Sequence, residues 1–317
     1  MKIVILDGYQ VNDGDLSWDG LLPFGALAVY DRTPKELVAE RVGNAEIVFT
    51  NKVFFTKEVF AACKNLKFIG VLATGFDNID IVEAAARGVT VCNVPGYSTL
   101  SVAQMTFALL LEIVCKTALH SESVLKGGWV KAPDYSYRMA PVTELAGKTI
   151  GLVGYGKIGA AVGKIAEAFG MRVIFYSPTK KGATPLNELL ARSDVVSLHC
   201  PLTAVNRGML DKTAFSKIKR GAILINTARG GLVDDQALAD ALNDGTLSAA
   251  GLDVVSVEPM RVGNPLLTAA NVIITPHIAW ASREARSRLI DISVANLAAY
   301  LKGKPQNKIN CGVDNPQ

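Results

Sequence analysis

Three side chains able to move a proton or grip a carboxylate each stand just past an apolar run. Arg229 lies in Asn226-Thr227-Ala228-Arg229-Gly230-Gly231. Glu258 closes Gly251-Leu252-Asp253-Val254-Val255-Ser256-Val257-Glu258-Pro259. His277, one of only 3 histidines, lies in Thr275-Pro276-His277-Ile278-Ala279-Trp280. A guanidinium grips a carboxylate at two points. A carboxylate beside a histidine holds the imidazole protonated near neutral pH. Hydride transfer between an alcohol and a ketone needs such a pair, because one group must give or take the hydroxyl proton. Taken singly, each residue has a plain structural reading, such as Arg229 pairing with Asp234 or Asp235. Taken together, on successive strand ends, they outline a catalytic site.

A second constellation is Gly154-Tyr155-Gly156-Lys157-Ile158-Gly159, which follows an apolar run and opens an Ala-rich helical stretch. The first glycine permits a tight turn, the second admits a pyrophosphate to the backbone, and the third lets helix and strand pack closely. The helix start then offers free N–H groups to the phosphates. A site for NAD ordinarily carries Asp or Glu about 20 residues further on, to accept from the ribose 2′-hydroxyl. Here that stretch reads Ser177-Pro178-Thr179-Lys180-Lys181. It has no carboxylate to repel a 2′-phosphate, and Ser177, Thr179 and Lys180 can bind one. The site therefore reads as NAD(P)(H), with NADP(H) mildly favoured; a solvated turn is the plain alternative.

The elements that must hold these residues are legible as short β-branched runs at 2–6, 46–49, 67–72, 90–93, 149–153, 172–176, 194–198, 222–226, 249–252 and 272–275. Most are continuously apolar, as strands covered on both faces are. Helical stretches at 157–169 and 235–244 separate some of them, which predicts βαβ units and open parallel sheets. A long apolar stretch at 101–120 reads as one buried helix rather than a membrane span, since it contains Gln104, Glu112 and Lys116. An irregular segment follows at 126–141, and a last helix at about 282–302. The expected fold is α/β, with two Rossmann-like or flavodoxin-like parallel-sheet domains and an active-site cleft between them. Residues 1–98 plus 283–317 would form the substrate-binding domain and 99–282 the cofactor-binding domain.

Composition excludes several classes. The 317 residues are 50 % hydrophobic and 20 % charged, which leaves ample material for large cores and excludes a disordered chain. A net charge of +4, from 33 basic and 29 acidic residues, is too small for a nucleic-acid face. Cys63, Cys92, Cys115, Cys200 and Cys311 are scattered and odd in number, which argues for reduced thiols and against a disulfide framework or a zinc site. The opening MKIVILDGY has too short an apolar run for a signal peptide, so a cytoplasmic location is expected.

On these motifs the chain resembles the D-isomer-specific 2-hydroxyacid dehydrogenase family, and within it the glycerate dehydrogenase/hydroxypyruvate reductase branch. NTARGGLVDD, GLDVVSVEP and TPHIAWAS resemble the family's Arg, Glu and His motifs, GLVGYGKIG its cofactor turn, and LATGFDNID and NVPGYSTLSVAQMTFALLLE its substrate loop and hinge segment. The resemblance implies His277 as general acid/base, Glu258 as the partner raising its basicity, and Arg229 as the carboxylate ligand. It implies that backbone N–H groups of Ala73, Thr74 and Gly75 also meet that carboxylate. Asp253 and the backbone near Thr227 and Ala228 would hold the nicotinamide carboxamide, and His199, Cys200, Pro201 and Thr203 would border the adenine. Lys52, at a strand end, reads equally as a substrate ligand or a surface lysine. The family also implies a homodimer, with Trp129 or Tyr137 as candidates to reach a neighbouring site; the small net charge and the polar residues in the 101–120 stretch argue against nucleic-acid and membrane partners. The pocket beyond C2, with Trp280, Phe76 and Phe54 as lining candidates, points first to hydroxypyruvate and second to glyoxylate. The alternatives are another 2-oxo acid reductase, a phosphoglycerate dehydrogenase or, from another class, an NAD(H)-sensing co-repressor-like module.

Overall fold

Aliphatic runs of three to six residues form the strands of two parallel sheets in the computed structural model, which describes residues 1–310. Cys311 lies outside the described residues. By contacts the chain divides into two units, Met1–Ser98 with Ala281–Gln317, and Thr99–Trp280.

In the first unit, β1 (Lys2–Ile5), β2 (Ala26–Val29), β3 (Ile47–Thr50), β4 (Phe68–Val71) and β5 (Thr90–Cys92) pair in parallel in the order β2-β1-β3-β4-β5. β3 and β4 are buried along their whole length, which explains their unbroken apolar sequences. Helices α1 (Val38–Val42), α2 (Lys57–Ala62) and α3 (Ile81–Ala86) lie between the strands in the chain. The C-terminal helix Arg283–Leu301, capped by Ser282, buries Ala285, Leu289, Ser293, Asn296 and Leu297, a stripe at helical spacing. Its Tyr300 ring lies 4.9 Å from that of Phe68 on β4. Past this helix, Lys308 bridges Cys92 in antiparallel fashion and the Ile309 amide donates to Val91, so the chain covers the β5 edge. β2 was not expected from the sequence. Its four residues follow Pro23 and Gly25, and only a glycine lets the chain pass Met1 there, since a Cβ on Gly25 would lie 2.2 Å from the Met1 carbonyl oxygen.

The second unit opens with α4 (Thr99–Cys115) and α5 (Thr117–Leu125). These replace the single helix expected at 101–120. The break falls at Lys116, which takes a left-handed conformation (φ 51°), and the two axes bend by 58°. The Glu112 carboxylate accepts from the Ala118 amide at 3.2 Å and from the Thr117 hydroxyl, so it caps the new helix. The break separates two environments: α4 buries eight residues in the core, whereas α5 buries none. Among the described residues no single helix is long and apolar enough to cross a membrane.

Next come β6 (Thr149–Val153), α6 (Lys157–Ala168), β7 (Arg172–Tyr176), α7 (Leu186–Arg192), β8 (Val195–Leu198), α8 (Lys212–Phe215), β9 (Ala222–Asn226), α9 (Asp235–Asn243), β10 (Leu247–Leu252) and β11 (Val272–Ile274). The strands are parallel in the order β11-β10-β9-β8-β6-β7. Leu110 and Ile113 of α4 share a core with Ile150, Val195, Ile225 and Ala249. Counted within each unit, the first sheet runs 2-1-3-4-5 and the second 2-1-3-4-5-6, and the order reverses between β1 and β3 and between β6 and β8. In such sheets ligands bind outside the carboxyl ends of the strands beside that reversal.

Candidate active site

In the second unit, parallel strands β6, β8, β9, β10 and β11 bring the sequence motifs to one edge of the sheet. His277 follows β11 and Glu258 follows β10. His277 Nδ1 lies 2.6 Å from Glu258 Oε2, and the two side chains are 25 % and 35 % exposed, so water or a small ligand can reach them. His277 has φ 56°, a left-handed backbone unusual for a residue with a side chain. Asp253, fully buried at the end of β10, holds that shape. Its Oδ1 accepts from the Thr275 hydroxyl at 2.6 Å and the Ile278 amide at 2.9 Å, and its Oδ2 from the Ala279 amide at 2.8 Å. Burial pushes the Asp253 carboxyl above its ordinary value, against these donors and nearby His277. The Ser101 hydroxyl of α4 donates to the Ala279 carbonyl at 2.6 Å.

Arg229 follows β9, where Asn226 braces the turn: its Oδ1 accepts from the Ala228 amide and its Nδ2 donates to the Arg229 carbonyl, both at 3.0 Å. Arg229 Nη1 donates to the Ala228 carbonyl at 2.8 Å. The acids nearest in sequence are engaged elsewhere. Asp234 caps α9 through the Ala237 amide, and Asp235 accepts from Ser256 and Asn264. Thr227 is buried, its hydroxyl 3.0 Å from that of Thr106 on α4.

The glycine turn after β6 divides its labour. Gly154 has φ 97°, and a Cβ there would lie 2.7 Å from the Cys200 amide nitrogen; one on Gly159 would lie 2.2 Å from the Gly154 carbonyl oxygen. Both glycines are demanded by the fold. Gly156 is not: its φ is −79°, and a Cβ would meet nothing within 4 Å. The space beside the first turn of α6, formed by Lys157, Ile158 and their neighbours, is left open where its N–H groups lack helical partners. Tyr155 stacks on Phe175 of β7 at 4.2 Å, and Lys180 Nζ stands 5.3 Å from the Tyr155 ring centroid, within cation–π range. The Thr179 amide approaches the Ser177 hydroxyl at 3.4 Å. After β8, His199 Nε2 lies 2.9 Å from Ser197 Oγ, while its Nδ1 is buried without a partner among the described residues. Burial pushes this imidazole down to about 3. Asn206 ties the next loop together, donating to the Pro201 carbonyl and accepting from the Thr203 amide and hydroxyl.

In the first unit, Lys52 is exposed at the end of β3. The Asn51 and Lys52 amides donate to the Asp7 carboxylate at 2.8 and 2.5 Å. Burial pushes Asp7 above its ordinary value, against these donors. The loop Ala73, Thr74 and Gly75 follows β4. The carbonyls of Ala73 and Thr74 accept from the Val94 amide and Asn93 Nδ2, whereas the three loop N–H groups meet no acceptor among the described residues. Trp129 donates to the Tyr135 carbonyl, and the Tyr137 hydroxyl lies 2.9 Å from that of Ser123. No three His, Cys, Asp or Glu side chains cluster as a metal site among the described residues. Asp7, Ser101, Asn206 and Asn226 escaped the sequence reading; for Asp7 and Asn226 the available signal was a polar residue directly after an apolar strand.

A family model described as "D-isomer specific 2-hydroxyacid dehydrogenase, NAD binding domain" matches residues 107–279. A hydroxypyruvate reductase of Blautia hydrogenotrophica is 49 % identical over 98 % of this chain and 100 % of its own length. The chain belongs to the D-isomer specific 2-hydroxyacid dehydrogenase family. A glycerate dehydrogenase of Methylorubrum extorquens is 42 % identical over 87 % of this chain and 89 % of its own. The solved structure of an NADPH-dependent glyoxylate/hydroxypyruvate reductase from Sinorhizobium meliloti superposes with a TM-score of 0.84 at 28 % identity, covering 97 % of each chain. As a member of this family the protein is an oxidoreductase that uses NAD(P)H. The residues present fit such a cofactor, because the fold itself gives no reason for the bare position at Gly156.

Proposed function

We propose that the protein reduces hydroxypyruvate to D-glycerate, and secondly glyoxylate to glycolate, with NADPH preferred over NADH. The observation that carries this reading is the 2.6 Å contact between His277 and Glu258, on a loop locked by Asp253. The carboxylate accepts a hydrogen bond from Nδ1–H and leaves Nε2 to face the substrate. In the direction of reduction, Nε2 gives its proton to the C2 oxygen; in the reverse direction it takes the hydroxyl proton. The bound nicotinamide supplies the hydride, so the balance is 2-oxo acid + NAD(P)H + H⁺ ⇌ D-2-hydroxy acid + NAD(P)⁺. Arg229 grips the substrate carboxylate and polarises the carbonyl, and the N–H groups of Ala73, Thr74 and Gly75 serve as carboxylate donors.

For the cofactor, the open turn at Gly156 takes the pyrophosphate. Asp253 Oδ2 has one partner among the described residues and so keeps an acceptor site for the carboxamide. Ser177, Thr179 and Lys180 bind the 2′-phosphate. The names of the relatives support the substrate choice, and the NADPH dependence of the Sinorhizobium enzyme supports the cofactor choice. The protein works in the cytoplasm as a homodimer, without nucleic-acid or membrane partners. An exposed apolar run that includes Leu125, Trp129, Val130 and Tyr135 supports the dimer. Initial rates of NADPH and NADH oxidation against hydroxypyruvate, glyoxylate and pyruvate test the reading. Turnover of hydroxypyruvate, faster with NADPH, is expected; no turnover by folded, cofactor-binding protein overturns it.

A further inference from the structure

A line of side-chain amides in the first unit, unused by the chemistry above, runs from the half-buried Asn307 through the buried Asn296 and Asn93 to the loop at 73–75. Asn307 Nδ2 donates to Asn296 Oδ1 at 2.9 Å. Asn296 Nδ2 donates to the Asn93 carbonyl at 2.9 Å. Asn93 Nδ2 donates to the Thr74 carbonyl at 2.7 Å, and the Asn93 amide donates to the Asn307 carbonyl at 3.2 Å. Asn296 is 1 % exposed on a helix face whose other buried residues include Ala285, Leu289, Ile290 and Leu297. A leucine would fill such a position without the cost of desolvating an amide. A primary amide does what leucine cannot, since it accepts on one side and donates on the other with its plane fixed.

The far end of this line explains its use. A peptide unit is planar and trans, so its C=O and the next N–H point in opposite directions. The Ala73 and Thr74 carbonyls are drawn onto Val94 and Asn93. The N–H groups of Thr74 and Gly75 must therefore point away from β5, where they meet no acceptor among the described residues. We propose that Asn296 and Asn93 are positioning residues that aim the loop's N–H groups at the substrate carboxylate, with Asn307 setting the orientation of the Asn296 amide. This rests on the role proposed above for the loop at 73–75.

Steady-state kinetics of the full-length protein test it. In Asn93→Ala and Asn296→Ala the KM for hydroxypyruvate rises about tenfold, the scale of one lost hydrogen bond. Meanwhile kcat stays within about threefold, and the KM for NADPH within about twofold. Asn307→Ala gives a smaller rise in the same constant. It leaves the helix face intact, so it decides the matter where Asn296→Ala does not fold. Ser293→Ala removes a buried hydroxyl that, among the described residues, bonds within its own helix to Leu289, and leaves all three constants unchanged. An active wild type with an unmoved hydroxypyruvate KM in both Asn93→Ala and Asn307→Ala overturns the relay alone. No turnover by the wild type overturns the reading beneath it.

Discussion

The two sheets share the order of their first five strands but treat the place where it reverses in opposite ways. Between β1 and β3 the chain supplies its own anion: the Asp7 carboxylate takes the amides of Asn51 and Lys52. Between β6 and β8 the chain supplies a bare glycine turn, open at Gly156. Backbone N–H groups converge at such a reversal and call for negative charge. A tethered carboxylate satisfies them permanently and braces a strand end. An open turn leaves its N–H groups accessible to a phosphate, which is what an exchangeable cofactor requires.

Four measurements can break or sharpen this contrast. The largest effect belongs to the second unit. His277→Ala lowers kcat by about 10²–10⁴-fold, the range for a general acid/base, with the NADPH dissociation constant unchanged by fluorescence titration. A variant with most of its activity would move the proton transfer elsewhere. Next is the tethered anion. Asp7→Ala orphans two backbone donors and lowers the urea-unfolding free energy by about 1–3 kcal/mol, while NADPH affinity stays the same. The open turn behaves conversely. Gly156→Ala weakens NADPH about tenfold, by crowding the turn proposed to take the pyrophosphate, yet changes the stability of the free protein by less than about 1 kcal/mol, because its φ suits alanine and only the N-cap preference opposes it. Equal losses of stability in these two variants would erase the distinction.

The last effect is in acid, and it has opposite signs at the two places. His199 is held down to about 3 when folded against about 6.5 when unfolded, so below pH 6.5 the unfolded chain binds the extra proton. Its contribution is whole above pH 6.5 and is lost towards pH 3, by at most about 1.4 kcal/mol per pH unit. Asp7 is raised when folded, so the folded chain binds the extra proton. Stability gains from Asp7 as pH falls from its raised value towards about 3.9. Unfolding of His199→Gln followed against pH should be flatter than wild type between pH 6 and about 4.

Much of this contrast is legible in the residues alone, and the reason is topological. Parallel strands end on one side, so Gly154, Arg229, Glu258 and His277 can be placed from the apolar runs before them. Other features depend on partners that sequence does not display. Asp253 reads as a cofactor ligand, but its bonds to Thr275, Ile278 and Ala279 also make it the brace of the histidine loop. Asn296 reads as one polar residue in a helix, and its partners at 93 and 307 are brought to it only by folding. Lys116 carries no helix-breaking signal, because what stops α4 is the end of the core it packs on. Strand β2 is short and only half-buried, so its pattern is too faint to read.

The covering of β5 by residues 307–310 sets an order of events during synthesis. The second unit is one continuous stretch of chain and can fold as soon as it leaves the ribosome. The first unit begins earlier but waits, its sheet edge bare, until the helix Arg283–Leu301 and the strand-like segment after it have been made. The part of the protein translated first is therefore completed last, and a nascent chain stalled before residue 300 leaves the β5 edge of its first sheet open to pairing with other strands.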